Sequence, residues 1–98
     1  MPEPVQPVEA AEATLTIINR LGLHARAAAK FVQTAQGFAS EVVVSRDGKE
    51  VNGKSIMGVM MLAAAQGACV TIRTSGRDAE QSLAALAALI AERFGEPT

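Results

Sequence analysis

Hydrophobic and polar positions alternate over most of Thr14-Leu15-Thr16-Ile17-Ile18-Asn19, a segment rich in β-branched side chains, and this period of two predicts a strand. The period then lengthens. Ala28, Phe31, Val32 and Ala35 fall at i, i+3, i+4 and i+7, one buried face of a helix, and Gly37 supplies its stop. Residues 41–46 and 49–52 read as two strands joined by Asp47-Gly48, a two-residue hairpin signal. Helical spacing returns at Ile56, Val59, Met60 and Ala63, with Ser55 as N-cap and an end expected before Gly67. Residues 69–74 form the last predicted strand. Beyond it, Asp78 and Gln81 have the spacing of a capping box. Leu83, Leu86, Ala87, Ile90 and Phe94 make the apolar stripe of a closing helix that Gly95 and Pro97 terminate.

The order strand, helix, strand, strand, helix, strand, helix predicts an α+β fold. Its form is a two-layer sandwich in which a four-stranded antiparallel sheet is covered on one face by three helices. No internal repeat interrupts it. Residues 1–13, with Pro2, Pro4, Pro7, Glu3, Glu9 and Glu12, read as a disordered extension, which leaves residues 14–98 as the single domain.

Composition narrows the chemistry. With 49% hydrophobic but only 3% aromatic residues in 98, the core must be built from Ala, Val, Leu, Ile and Met, and a large ligand cavity is not expected. Of the ten acidic residues, Glu3, Glu9 and Glu12 fall in the first thirteen positions, so seven face nine Lys and Arg in the remainder. That balance is too weak for a nucleic-acid binder, and no basic stripe interleaved with aromatics appears. The lone Cys69 has no disulfide partner and no metal-ligand spacing, and reads as a small buried hydrophobe in a strand. Neither a metal nor a cofactor is expected. There is no basic and apolar leader and no uncharged run long enough to cross a bilayer, so the sequence is read as cytoplasmic, without membrane insertion.

One stretch stands apart from packing. Gly22-Leu23-His24-Ala25-Arg26 places the only histidine where the strand pattern gives way to the helix pattern. The first amides of a helix lack intrahelical partners, and the aligned dipoles put about half a positive charge there. An imidazole at that point, with a guanidinium two residues on, is suited to hold a phosphoryl group whose oxygens the amides and Arg26 neutralise. Arg20, Arg26 and Lys30 form a local basic group around it. Taken alone, such a histidine is more often a surface or structural residue; its position at the helix start raises the functional reading. Ser55, for its part, is explained by helix capping, yet an N-cap serine is also where a phosphate is tolerated.

These residues carry a resemblance. Gly22 to Arg26, followed about thirty residues later by Gly53-Lys54-Ser55-Ile56-Met57-Gly58-Val59-Met60, resembles the histidine-containing phosphocarrier family, HPr, of the bacterial phosphoenolpyruvate-dependent phosphotransferase system. The likeness runs from about Leu15 to Phe94. It implies that His24 takes a phosphoryl group on Nδ1 from enzyme I and passes it to an enzyme IIA component. It also implies that Arg26 steadies the phosphoryl oxygens and that Ser55 matches the regulatory serine which a kinase/phosphorylase modifies in many members. Ile56, Met57 and Met60, with Arg20 and Lys30, would meet the partners, and the protein would act as a monomeric carrier. Ala27 departs from the pattern G-L-H-A-R-P-A, where a proline is usual; alanine is a good helix former and keeps an N–H donor, and the change leans the reading toward the nitrogen-regulatory branch. A second function class stays open: a non-catalytic module of the same fold that docks on a kinase or transcription factor. The presence of His24 with Arg26 favours phosphotransfer, because silent relatives carry another residue in place of that histidine.

Overall fold

The structure, a computed structural model, describes residues 9–98. Strand β1 runs over Ala10–Thr16, helix α1 over Ala25–Gln36, strands β2 and β3 over Glu41–Arg46 and Lys49–Asn52, and helix α2 over Ile56–Met61. Strand β4 spans Cys69–Ser75, helix α3 spans Ala79–Ala91, and a 3₁₀ turn closes the chain at Arg93–Gly95. The four strands form one antiparallel sheet in the order β1-β4-β2-β3. β1 and β2 both run opposite to β4 and so parallel to each other, which is why the connection between them crosses over through α1. The helices cover one face: α3 lies over β1 and β4, and α1 packs between α2 and α3. Ile17, Phe31, Val44, Val59, Ile72, Leu86 and Phe94 fill the space between the layers, all within 1% of complete burial. The architecture is the α+β sandwich that the residue pattern implies.

Several local expectations are corrected. β1 starts at Ala10, four residues before the expected domain boundary, and ends at Thr16 rather than Asn19. Its first residues, Ala10 to Ala13, pair with Ser75 to Ile72 of β4, so residues 10–13 are strand and not a disordered extension. Glu9 just before them accepts from the amide of Gly76 at 2.7 Å, and residues 1–8 of the expected extension lie outside the described residues. Alanine is a poor strand former, but a neighbouring strand and the cover of α3 override propensity here.

α2 is also shorter than its apolar spacing suggests. It stops at Met61, and Ala63 turns left-handed at φ 50°. Arg46 Nη1 donates to Leu62 O at 3.0 Å and Lys49 Nζ donates to Met61 O at 3.1 Å, so the β2–β3 hairpin satisfies carbonyls that a longer helix would have used itself. At α3 the expected capping box does not form. The Asp78 carboxylate reaches across the fold instead and accepts from the amides of Ala39 and Ser40, both at 2.8 Å. Phe94 lies beyond α3, in the closing turn, and Leu83 is only half-buried, whereas Ala79 and Ser82 are fully covered. Cys69 is exposed: the register of β4 turns it away from the core, beside Thr16 at 3.7 Å.

Candidate functional site

The loop between β1 and α1 is clamped at both sides. Ile17 N–H donates to Ala68 O and Gly67 N–H donates back to Ile17 O, at 2.9 and 2.8 Å, and Leu23 N–H donates to Ala64 O at 2.9 Å. Gly22, at φ 66°, sits where a Cβ would come within 2.5 Å of Ala64 O, so only glycine allows the two loops to approach this closely. Leu23 is buried beside it. The next residue, His24, therefore emerges at a fixed point.

His24 is the N-cap of α1, with extended backbone angles and no capping bond from its side chain. The first i→i−4 bond of the helix runs from Ala28 N–H to His24 O, so the amides of Ala25, Arg26 and Ala27 have no partner inside the helix. Ala27 and Ala28 anchor this end by complete burial. Alanine at position 27 thus serves the core and leaves its amide in place.

Among the described residues the imidazole has one close partner, Glu96. Its Nε2 lies 2.5 Å from Glu96 Oε2, with the histidine side chain 28% exposed and the glutamate side chain 11% exposed. Glu96 Oε1 accepts from Asn19 Nδ2 at 3.0 Å, and the same Nδ2 donates to Gly22 O at 2.8 Å. Burial pushes the Glu96 carboxyl up. The hydrogen bonds from Asn19 and His24, with the positive charge of Lys30 and the attraction the imidazole adds whenever it is protonated, outweigh it and hold its pKa below the ordinary 4.5. An ionised carboxylate can only accept, so Nε2 carries the proton, and Nδ1 of the neutral ring keeps its lone pair.

The chain returns to this point through an unusual turn. Arg93 and Phe94 both adopt left-handed angles, φ 57° and 56°, a conformation that costs a non-glycine residue on the order of 1 kcal/mol or more. Burial of the Phe94 ring offsets this cost. Lys30 Nζ then donates to Phe94 O at 2.6 Å, and Arg20 N–H donates to Thr98 O at 3.0 Å. A hollow of about 480 Å³ remains, lined by Leu21, His24, Arg26, Glu96 and Pro97 among others. A second hollow of about 440 Å³ lies over β2 and β3, and its lining, which includes Ser40, Glu50 and Lys54, holds no histidine.

The remaining candidate residues divide. Arg26 is exposed, and among the described residues no hydrogen bond or ion pair engages its guanidinium, which leaves it available to an anion. Arg20 is exposed on the same loop. Lys30 is tied to the closing turn and is not presented outward. Ser55 caps α2, its Oγ accepting from Gly58 N–H at 3.0 Å. Just before it, Gly53 lies where a Cβ would meet Val42 Cγ1 at 2.4 Å, so the chain there is pressed against β2. Ile56, Met57 and Met60 are exposed, joined by Met61 and Leu21, which the spacing did not single out. Asn19 and Glu96 were also missed: neither belongs to the local motif, and they meet His24 only through the fold. Among the described residues no three His, Cys, Asp or Glu side chains gather as a metal site, and no helix is long and apolar enough to cross a membrane.

The chain is similar to known proteins over most of its length. A family model described as the PTS HPr component phosphorylation site matches residues 11–92. A phosphocarrier protein HPr of Cupriavidus necator is 60% identical over 81 residues, 83% of this chain and 91% of that protein. An HPr-like protein Crh of Halalkalibacterium halodurans is 49% identical over 71 residues, covering 72% of this chain and 84% of its own. The crystal structure of an HPr from Thermoanaerobacter tengcongensis superposes with a TM-score of 0.87 at 49% identity, over 90% of this chain and 99% of that one.

Proposed function

The chain belongs to the PTS HPr family and is a phosphocarrier of the phosphotransferase system, and from that premise we propose that His24 is the residue that carries the phosphoryl group. The observation that carries this reading is the state of the ring. With Nε2–H committed to Glu96, Nδ1 is the free nucleophile, at the head of a helix whose first amides have no internal partner and beside the unengaged Arg26. A nucleophile in that setting attacks phosphorus while amides and guanidinium take up the charge on the oxygens.

The donor is enzyme I, charged from phosphoenolpyruvate, and the acceptor is an enzyme IIA component. A phosphoimidazole retains transfer potential, so the protein has only to hold the group and present it to two partners in turn. The exposed Ile56, Met57 and Met60 form the docking patch, with Arg20 and Arg26 beside His24; methionine side chains adapt to more than one partner surface. Ser55 is the regulatory acceptor for a serine kinase/phosphorylase. Esterification removes its hydroxyl proton but leaves oxygen lone pairs that can still accept from Gly58 N–H. In this reading the carrier works in the cytoplasm as a monomer.

The test is phosphorylation with phosphoenolpyruvate and enzyme I. Wild type should take up acid-labile, base-stable phosphate, and His24→Ala should take up none while keeping its fold, with a stability change of about 1 kcal/mol for one part-exposed hydrogen bond. Label persisting in His24→Ala would falsify the assignment.

A further inference from the structure

Glu96 does more at this site than a phosphocarrier strictly requires. It lies 72 residues along the chain from His24, yet among the described residues its carboxylate is the one side chain within hydrogen-bonding distance of the imidazole. The contact is held from several sides. Asn19, fully buried, donates to the other carboxylate oxygen; Lys30 grips the carbonyl of Phe94; and the amide of Arg20 grips the carbonyl of Thr98. Gly95, at φ 78°, provides the last turn of backbone that aims Glu96 back at the ring, and a Cβ there would approach Lys30 Nζ at 3.2 Å. So many fixings on one short segment indicate that the position of this carboxylate matters.

We propose that Glu96 is a positioning residue for phosphoryl transfer: by holding Nε2–H of His24 it sets the tautomer and ring orientation that present the Nδ1 lone pair, and it balances the charge that the ring gains on phosphorylation. The proposal rests on the reading of His24 as acceptor. In the transfer step the Nδ1–phosphorus bond forms as the bond from phosphorus to the donor partner breaks, and that electron pair leaves with the donor. No proton departs from His24. Nε2–H stays on the ring and in its bond to Glu96, so the phosphorylated imidazole becomes a cation directly beside a carboxylate in a partly dry site, where the attraction is stronger than in water. The two ring nitrogens face away from each other, so the carboxylate meets the proton and not the incoming phosphoryl oxygens. A group that orients a reactive imidazole through its second nitrogen is typically worth a factor of about ten to a hundred.

Glu96→Ala and Glu96→Gln separate the roles. In unphosphorylated wild type, proton NMR should show a downfield imidazole Nε2–H resonance protected from exchange with water. Glu96→Ala should lose it and accept phosphate from enzyme I about tenfold more slowly, in kcat rather than KM. Glu96→Gln keeps an acceptor without the charge, so it should retain the resonance and recover part of the rate. An Ala variant that transfers at the wild-type rate, or faster because a repelling carboxylate has gone, overturns the proposal, as does a resonance unchanged by the substitution. Label persisting in His24→Ala removes the acceptor and this inference with it, whereas labelled His24 at an unchanged rate in Glu96→Ala overturns this inference alone.

Discussion

Arg26 is a cation whose guanidinium no group in the described structure neutralises, two residues from His24 and in the first turn of α1. A cation at a helix N-terminus is unfavourable to the helix itself, and the proposed phosphoryl group is an anion that would offset it. Its planar fork matches two phosphoryl oxygens at once, which an ammonium does not reproduce. A charge-assisted hydrogen bond of this kind contributes about 1.5–3 kcal/mol, or roughly tenfold to a hundredfold in rate. Arg26→Lys should therefore slow phosphoryl transfer to His24 by about tenfold, and Arg26→Ala should slow it further, at unchanged melting temperature. Stopped-flow transfer from enzyme I measures both; equal rates in all three proteins would make Arg26 a solvated surface residue. His24 and Arg26 were legible in the sequence because both lie in one local motif at a change of period. Glu96 and Asn19 were not, since a carboxylate near the end of a helix gives no sign of where a left-handed turn will aim it.

At the scale of elements, α2 joins the cap to the proposed docking patch. Ser55 Oγ satisfies the amide of Gly58, and in a helix of only six residues Val59 turns into the core while Ile56, Met57, Met60 and Met61 are exposed. So short a helix depends on its cap and on the Arg46 and Lys49 bonds at its other end. Ser55→Ala should destabilise the protein by about 1 kcal/mol, whereas Ser55→Asp should keep the fold, because aspartate caps as well as serine. The Asp variant places a charge next to an apolar docking surface, and a partner that covers Ile56 and Met57 must desolvate it. Its rate of phosphorylation by enzyme I should fall while its denaturant midpoint does not. A rate equal to wild type would reduce Ser55 to a helix cap.

Other elements show where sequence patterns hold and where they give way. Asp47 and Gly48 both take positive φ, 50° and 83°, as their turn chemistry implies, so the β2–β3 hairpin was legible residue by residue. The start of β1 was not, because Ala10-Ala11-Glu12-Ala13 is strand only by virtue of pairing with β4. Asp78 was misread for the same kind of reason: its helix-capping spacing is local, and the two amides that claim it are nearly forty residues away.

Across the whole molecule, carboxylates fasten segments that are distant along the chain. Glu96 ties the closing turn to the His24 loop, and Asp78 ties the start of α3 to the link between α1 and β2. The amide of Ala39 is the main influence that holds the Asp78 carboxyl below its ordinary 3.8, opposed by desolvation and reinforced by the amide of Ser40. A carboxyl whose pKa is lower folded than unfolded binds fewer protons in the native state. Its stabilisation is complete above the unfolded value and is lost as pH falls through the folded one. For Asp78 that window opens just below pH 3.8 and extends to more acid conditions. Asparagine at this position offers one acceptor and one donor to two amide donors, much as protonated aspartic acid does. Wild type should thus be more resistant to guanidinium than Asp78→Asn at pH 7, and the gap between their midpoints should narrow at pH 3 and close at still lower pH. The other carboxylates are common to both proteins and drop out of the difference. A gap as wide at pH 3 and below as at pH 7 would mean that Asp78 holds the loop by shape, with its charge contributing nothing to how the two layers stay fastened.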